Sequence, residues 1–444
     1  MGLERLFQAK SVAVVGASAT PLKLGHTLLT NLIEGGFRGP LYPINPKERE
    51  ILGLKAYPSL SAVPDPVDLV VISVPAAVVP AVVEEAVKKK TGAAIIVSGG
   101  FREAGNAEGE RQLVQTARAG GLRVVGPNCQ GLAYLPNRLC ATWPVQRLEG
   151  PIAVVSQSGT VAAALADWAT EDGLGISCML ALGNKTDVAE TEAIDFLAGD
   201  GRTKVIAVYS EGLGDGRKFM EALKRATAKV PVVLLRGGRT PTGHAAAQTH
   251  TKSLAGQYEV FASLAEAAGA TVVSSVEALY DAAKAYGGIA RPAGRRVAII
   301  TSSGGAGVLA TDAGVEAGLE PARLSDATTT ALREKLPPRC SVRNPIDLTG
   351  DGTAEQYEAV IRTAAPDPGV DAFLAIFGDP IPGAAATVKK LQQEQAKPIV
   401  VVFLGGGEVE ARERQAFAEA RIPVFSSPER AMRGLGFVAA GRGI

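Results

Sequence analysis

Short apolar runs recur along the chain, and segments with the period of a helix separate them. Runs of this kind are typical of strands in parallel sheets, where crossover helices cover both faces of the sheet. They form three series: Val12–Val15, Leu69–Val74, Ala94–Val97 and Arg123–Val125; then Ile152–Val155, Ser177–Leu182, Val205–Tyr209, Val232–Leu235 and Thr271–Val273; then Val297–Ile300, Phe373–Ile376 and Ile399–Phe403. The pattern predicts an α/β protein built of consecutive units.

Turn residues separate the three series at Gly150–Pro151 and at Ala290–Arg295. A chain of 444 residues also suits about three domains of roughly 100–200 residues each. We therefore predict domains at 1–149, 150–292 and 293–444. The second and third resemble each other, because IAVVSQSG at 152–159 aligns with VAIITSSG at 297–304, and Gly173–Leu174 aligns with Gly318–Leu319. This agreement favours a duplicated domain.

Composition excludes several classes of function. Lys and Arg total 46, Asp and Glu total 45, and a formal charge of +1 argues against a nucleic-acid or acidic-membrane partner held by bulk charge. Four Cys without a CxxC pair and three His leave neither a disulfide scaffold nor a Cys/His zinc site, so we predict no metal. No segment reaches about 18 uninterrupted apolar residues, and we expect a cytoplasmic protein without a membrane partner.

The first candidate site follows the strand Val12–Val15, where a Gly/Ser turn opens toward a helix at about 23–34. Such a turn offers free backbone N–H groups and a positive helix end to a phosphate. The turn lacks GxGxxG, and the next strand ends in Asn45-Pro46-Lys47 without an acid, which disfavours NAD. Lys23 and Lys47 would suit a phosphorylated nucleotide such as coenzyme A. A mere tight turn is the alternative.

Two further Ser/Gly turns stand at equivalent positions of the duplicated units, Ser156–Thr160 and Ser302–Gly307. Each places small residues before a helix, so that an anion can approach the backbone amides. The two turns could converge on one phosphate. Alternatively, the small residues only allow each helix to pack on its sheet.

The third candidate is the segment 236–256, which follows the strand Val232–Leu235. It is small, polar and without an apolar face, and we predict a flexible loop with a helix starting near Ser253. It contains His244 and His250. A neutral imidazole at His250 could accept a phosphoryl group if a carboxylate fixed its tautomer.

The run THTKSLAG at 249–256, with GGRT at 237–240, resembles the signature of the ADP-forming acyl-CoA synthetases, relatives of succinyl-CoA synthetase. Further matches follow in family order: GAS at 16–18, YPINPK at 42–47, VGPNCQG at 125–131, VSQSGT at 155–160, GNKTDV at 183–188, EGLGDGRKF at 211–219 and NPIDLTGD at 344–351. The resemblance implies an alpha subunit with a Rossmann-like CoA-binding domain and two duplicated flavodoxin-like ligase domains. It further implies a heterotetramer with an ATP-grasp beta subunit that holds ADP or ATP and Mg²⁺.

Site residues carried over from this resemblance fall into four groups. His250 would be the phosphohistidine nucleophile, and Glu211 would hold its other ring nitrogen. The phosphate would be bound by Ser158, Gly159 and Thr160 and by Ser303, Gly304 and Gly305. Coenzyme A would lie along Gly16, Ala17, Ser18, Lys23, Asn45, Pro46, Lys47, Val74, Pro75, Ala76, Ser98, Gly99 and Phe101. The acyl group of a small carboxylic acid would reach Asn128 and Asn184.

The implied reaction converts acyl-CoA, phosphate and ADP into carboxylic acid, CoA and ATP through an acyl phosphate and phosphohistidine, reversibly. Three departures from the family pattern bear on it: Lys252 replaces a glycine, Gln130 replaces an apolar residue, and Cys140–Trp143 differs from an Asn-Ala-Thr-Phe pattern. A CoA-binding regulatory homologue without phosphoryl transfer is the alternative function. The sequence does not identify the acid or decide between ADP and GDP.

Overall fold

The computed structural model describes residues 3–251 and 257–441, and side chains are described outside 247–256. The chain forms two compact units. The first comprises residues 3–167 and 176–276, and the second comprises residues 168–175 and 277–441.

The first sheet of the first unit has five parallel strands in the order β2-β1-β5-β6-β7. Its strands are apolar runs that are buried on both faces, as the sequence pattern predicts. The elements of this part of the chain are α1 (Glu4–Phe7), β1 (Val12–Val15), α2 (Leu24–Glu34), β2 (Leu41–Ile44), β3 (Glu50–Ile51), β4 (Leu54–Lys55), β5 (Leu69–Ile72), α3 (Val79–Lys88), β6 (Ala93–Ile96), α4 (Ala107–Ala119) and β7 (Arg123–Val125). Strands β3 and β4 form a separate small hairpin.

The second sheet of this unit has seven strands. Its elements are β8 (Gly131–Tyr134), β9 (Leu139–Thr142), β10 (Glu149–Ser156), α5 (Gly159–Glu171), β11 (Ile176–Ala181), α6 (Glu190–Leu197), β12 (Val205–Ser210), α7 (Gly216–Thr227), β13 (Val232–Arg236), α8 (Pro241–Thr251), α9 (Tyr258–Ala267) and β14 (Thr271–Val273). The strand order is β14-β13-β12-β10-β11-β8-β9, with the β8–β9 hairpin antiparallel to β11. This hairpin precedes the boundary predicted at 149 but joins the second sheet, and the predicted boundaries stay predictions.

The second unit contains a six-stranded parallel sheet. Its elements are α10 (Val276–Gly288), β15 (Arg296–Thr301), α11 (Gly304–Glu316), β16 (Glu320–Pro321), α12 (Asp326–Lys335), β17 (Ile346–Asp347), α13 (Ala354–Ala364), β18 (Ala372–Phe377), α14 (Ala384–Glu394), β19 (Ile399–Phe403), α15 (Glu408–Glu419), β20 (Val424–Phe425) and α16 (Pro428–Ala440). The order is β16-β15-β18-β19-β20, and β17 also pairs with β15.

The predicted duplication has a matching local geometry in the two units. After β10, the Oγ of Ser156 donates to the carbonyl of Ser158 (2.6 Å) and accepts from its N–H (3.1 Å). After β15, the Oγ1 of Thr301 makes the same pair of bonds with Ser303, at 2.8 and 2.9 Å. The helices α5 and α11 start directly after these turns, as predicted.

The flexible loop predicted over 236–256 is wrong for residues 241–251, which form helix α8. Thr240 caps this helix, because its Oγ1 accepts from the N–H of Gly243 at 3.1 Å. Pro241 occupies the first helical position, where its missing N–H costs nothing. The alanines at 245–247 then give the segment a high helix propensity. The sequence pattern did not show this because the segment has no apolar face. The helix predicted to start near Ser253 begins, among the described residues, at Tyr258.

Within the described ranges, no helix combines the length and the apolar character needed to cross a bilayer. The same part of the chain has no group of three or more His, Cys, Asp and Glu side chains placed to hold a metal ion.

Candidate active site

Four loops at the carboxyl ends of β1, β2, β5 and β6 form the crevice predicted for coenzyme A. At the first loop, Gly16 has a φ of +89°, and a Cβ built there would lie 2.2 Å from the carbonyl oxygen of Ser73. Helix α2 also approaches closely, since a Cβ on Gly25 would lie 1.9 Å from the carbonyl oxygen of Gly16. Only glycine permits this contact between strand, loop and helix N-terminus.

Side-chain hydrogen bonds connect these loops. The amide of Asn45 donates to the carbonyl of Ala17 at 2.8 Å, and the Oγ of Ser98 donates to the carbonyl of Val74 at 2.6 Å. The structure therefore brings the predicted segments 16–18, 45–47, 74–76 and 98–101 together at one sheet edge. Lys23 and Lys47 are exposed at this edge.

A cavity of about 580 Å³ in the first unit is lined by Val97 and Arg102, the residues on either side of the loop 98–101. It brings together predicted residues from three distant parts of the sequence. They are Asn128 and Asn184, assigned to the acyl group, and Ser158, Gly159 and Thr160, assigned to the phosphate. The remaining lining residues are Val97, Arg102, Glu103, Cys129, Gln130, Trp143, Gln157 and Gly183.

Asn184 is held in one orientation by two carboxylates. Its Nδ2 donates to Oε2 of Glu103 at 2.6 Å and to Oε2 of Glu110 at 2.7 Å, and its carbonyl accepts from Arg102 at 2.7 Å. Partial burial acts to raise the pKa of the Glu103 carboxyl, but hydrogen bonds from Asn184 and from the backbone of 100–101 outweigh it and lower the pKa. Glu103 therefore stays ionised and fixes the Asn184 amide, whose Oδ1 accepts from Nδ2 of Asn128 at 3.5 Å.

The N-terminus of α5 opens onto the same cavity. Ser158 precedes this helix, and its carbonyl accepts from the N–H of Ala162 at 3.1 Å. Gln130 packs on Gly159 so closely that a Cβ there would lie 2.4 Å from the Gln130 Cγ. The helix end thus presents backbone N–H groups and partial positive charge to the cavity, as an anion site requires.

Cys129 also lines the cavity, and it is not suited to act as a nucleophile. Its Sγ donates to the carbonyl of Ile96 at 3.4 Å, and burial raises the pKa of the thiol to about 12. A thiol with this pKa is protonated at neutral pH, and the thiolate is the reactive form.

Glu211 lies at the carboxyl end of β12 and is buried. Its N–H donates to the amide oxygen of Gln157 at 2.9 Å, and the hydroxyl of Tyr209 donates to its carboxylate at 3.3 Å. Burial and the neighbouring Glu211 charge raise the pKa of Tyr209 to about 12, so the hydroxyl stays a donor. A Cβ on Gly237, which leads into α8, would lie 3.5 Å from the Glu211 Cγ. Glu211 is therefore adjacent to the segment that carries His250.

The other sequence-predicted residues are not brought into this cavity by the described atoms. The backbone of His250 belongs to α8, but its side chain lies outside the described part, and Lys252 lies outside the described residues. Ser303, Gly304 and Gly305 start α11 in the second unit. A Cβ on Gly304 would lie 2.9 Å from Oδ2 of Asp347, so a carboxylate stands close to this helix end. The convergence of both turns on one phosphate stays a prediction.

Sequence reasoning missed several residues of the site. Glu103, Glu110 and Arg102 fix Asn184, and Gln157 joins the first Ser/Gly turn to Glu211. Gln157 is part of the VSQSGT motif, and this motif could have identified it as a site residue. The role of Glu103 depends on a contact between residues 81 positions apart, which no local pattern contains.

Comparisons with known proteins agree with this architecture. Family models match as a CoA binding domain over 10–134, a succinyl-CoA ligase like flavodoxin domain over 149–286 and a ligase-CoA domain over 297–436. The chain is 40% identical over 452 residues to the subunit alpha of ADP-forming acetate–CoA ligase I of Pyrococcus furiosus, covering 98% of this chain and 96% of that subunit. It is 40% identical to ADP-forming acetate–CoA ligase I of Archaeoglobus fulgidus, covering 98% of this chain and 63% of that protein.

A solved structure supports the same relationship. The dinucleotide forming acetyl-coenzyme A synthetase 1 of Ca. Korarchaeum cryptofilum, in complex with phosphate and ADP, matches with a TM-score of 0.93 and 37% identity, covering 99% of this chain and 96% of that chain. The predicted family and fold class are confirmed. The chain belongs to the ADP-forming acetate–CoA ligase family, with a CoA-binding domain followed by two succinyl-CoA ligase-like domains.

Proposed function

We propose that the chain is the alpha subunit of an ADP-forming acyl-CoA synthetase that acts on a small carboxylic acid. The observation that carries this proposal is the cavity of about 580 Å³, because it brings Asn128, Asn184 and the N-terminus of α5 together beside Val97 and Arg102, which flank the CoA-assigned loop 98–101. Thioester, acyl group and phosphate must meet in one place for the first step, and this cavity brings the Asn128–Asn184 pair next to the backbone N–H groups at the start of α5.

In the first step, an oxygen of phosphate attacks the thioester carbonyl carbon, and the C–S bond breaks to release CoA as a thiolate. The product is an acyl phosphate. The backbone N–H groups at Ser158–Thr160 would stabilise the phosphate. Asn128, whose Nδ2 is oriented by Oδ1 of the fixed Asn184, would donate to the acyl group and orient it. The resemblance also assigns Ser303–Gly305 to phosphate binding, and the Asp347 carboxylate lies close to this helix end.

In the second step, a ring nitrogen of His250 attacks the phosphorus of the acyl phosphate, and the P–O bond to the acyl group breaks to release the carboxylate. Glu211 would accept a hydrogen bond from the other ring nitrogen and stabilise the cationic phosphoimidazole. Its position beside Gly237 supports this role. Since 241–251 are helical, we propose that α8 moves as a helix about the Gly237–Gly238 linker, in place of a swinging loop.

A partner completes the reaction. The chain covers 96% of the Pyrococcus furiosus alpha subunit and 63% of the Archaeoglobus fulgidus relative. From the family resemblance, we propose that an ATP-grasp beta subunit supplies the nucleotide site. We place ADP, ATP and Mg²⁺ in that subunit and propose a cytoplasmic heterotetramer.

The phosphohistidine is tested with radiolabelled acetyl phosphate added to the chain alone, and with radiolabelled ATP added together with an ATP-grasp partner. We expect base-stable, acid-labile label on the chain in both cases, because a phosphoimidazole has these properties. His250→Ala should abolish the label. His244→Ala, in the same helix α8, is the matched control and should retain it.

Label that survives His250→Ala would contradict the assignment of the nucleophile. A chain that binds CoA but takes no label from either donor would instead be a CoA-binding module without phosphoryl transfer. Coenzyme A should raise the melting temperature of the chain, whereas NAD should not.

A further inference from the structure

We infer that the buried ion pair of Lys185 and Glu190 positions Glu211 for phosphoryl transfer to histidine. This inference rests on the proposed catalytic role of Glu211. Neither residue of the pair lines the cavity, so their effect would pass through the Ser210–Gly212 turn that carries Glu211.

The contacts of Lys185 define this role. Its Nζ lies 2.6 Å from Oε1 of Glu190, donates to the Oγ of Ser210 at 3.3 Å and donates to the carbonyl oxygen of Gly212. The Oγ of Ser210 donates in turn to the same Oε1 at 2.6 Å. The ammonium therefore holds the two residues that flank Glu211.

Burial shows that this arrangement is built into the fold. The side chain of Lys185 is 9% exposed and that of Glu190 is 2% exposed, and a charge so deeply placed requires a partner. Lys185 also has a φ of +44°, a left-handed conformation that is unfavourable for lysine. Strain of this kind persists where surrounding contacts fix the residue, and it is concentrated at functional sites.

The segment that carries Lys185 is itself anchored. Arg118 and Arg123 bind the carboxylate of Asp187 at 3.0 and 2.8 Å, and the N–H of Val124 donates to it at 2.9 Å. Lys185 directly follows Asn184, which lines the cavity. The ion pair thus links the turn that carries Asn184 to the turn that carries Glu211, and Gln157 binds the N–H of Glu211.

The test replaces both charges, since Lys185→Met alone would leave Glu190 buried without a partner and could prevent folding. Lys185→Met/Glu190→Gln should fold, bind CoA with unchanged affinity and accept the phosphoryl group of acetyl phosphate about 10–100-fold more slowly, as expected for a small misplacement of a catalytic group. The pH profile of this step should shift as it does in Glu211→Gln. The matched control is Arg225→Met/Asp195→Asn, which removes an exposed ion pair of 2.5 Å between α7 and α6, the helix that also carries Glu190, and should leave the rate unchanged.

A Glu211→Gln background separates the two proposals. If the pair acts through Glu211, adding its substitution to Glu211→Gln should slow the transfer by less than about twofold further. Independent, multiplying losses would overturn the positioning role while leaving Glu211 catalytic. A Glu211→Gln variant with the full wild-type rate would instead overturn the proposed role of Glu211. A double variant that folds and transfers at the wild-type rate would also overturn the inference.

Discussion

Glu103 lines the cavity proposed for an anion, Asp187 follows the cavity-lining Asn184 by three positions, and protein donors bind both carboxylates. Glu103 accepts from the N–H groups of Gly100 and Phe101 and from Asn184, and Asp187 accepts from two arginines. Burial acts to raise the pKa of Asp187, but Arg123, the backbone of Val124 and Arg118 outweigh it and lower the pKa. Their charges are thus compensated within the protein. Glu103 and Asp187 thus hold loops in place through hydrogen bonds and ion pairs. The N-terminus of α5 remains available for phosphate.

Hydrogen bonds to a buried carboxylate also make the stability of the second unit depend on pH through Asp367. This carboxylate is 3% exposed, and although burial acts to raise its pKa, hydrogen bonds from Thr328, Ser325 and Gly369 lower the pKa to about 2. An unfolded Asp has a pKa of about 3.9, so the ionised group stabilises the folded state above about pH 4, and the stabilisation is lost as the pH falls toward about 2. We expect Asp367→Asn to lower the free energy of unfolding by about 2 kcal/mol near neutral pH.

Denaturant unfolding of wild type and Asp367→Asn across this pH range measures the effect. The difference between them should shrink as the pH falls below about 4. Asp312→Asn, at an exposed position of α11, is the control for the loss of a carboxylate at the surface. A difference at Asp367 that is independent of pH would contradict the linkage.

Each of the two duplicated strand–turn–helix segments is followed by a glycine. The two glycines have the same backbone conformation but different surroundings. Gly173 and Gly318 have φ values of +70° and +75°. A Cβ on Gly318 would meet nothing closer than 3.7 Å, whereas a Cβ on Gly173 would lie 2.0 Å from the carbonyl oxygen of Ala418. We expect Gly318→Ala to cost about 1 kcal/mol of stability through backbone strain alone. Gly173→Ala should cost about 2–4 kcal/mol because the backbone must also shift.

Unfolding measurements on the two alanine variants provide the comparison, and each glycine serves as the control for the other. Equal losses would mean that the second unit yields at Ala418 without cost. A larger loss at Gly318 would contradict the steric argument.

The elements that the sequence predicts best are the strands that are buried on both faces. Strands such as Val12–Val15 and Ile399–Phe403 were evident because strands buried on both faces are continuous apolar runs. The hairpin β8–β9 was missed because its strands, with the sequences GLAY and LCAT, lack the run of β-branched residues that marks Val12–Val15. Helix α8 was predicted as a loop because a helix that lacks an apolar face gives no periodic signal, and its cap was not weighed.

At the scale of the whole molecule, the site was predicted motif by motif, but its assembly was not. The turns at 16–18 and 158–160 could be recognised from glycine and serine placed after strands. That Asn128, Asn184 and Gly159 line one cavity depends on the packing of two sheets within the first unit. Residues so far apart in the chain share no local pattern, so a single sequence does not indicate that they are in contact. Family motifs identified the residues, and only the tertiary structure shows which of them meet.

The division into two compact units predicts where coenzyme A changes the protein. Every loop that we assign to CoA belongs to the first unit, so saturating CoA should slow hydrogen exchange at 73–76 and 98–101. At a ligand concentration of about 100 times Kd, binding stabilises the folded state by about 2.7 kcal/mol, which corresponds to about 100-fold slower exchange through openings that release the ligand. Helix α13 in the second unit is the internal control and should exchange at an unchanged rate, and NAD at the same concentration should protect neither region. Protection of α13 equal to that of the loops would place the ligand elsewhere, and protection of the loops by NAD would contradict the choice of cofactor.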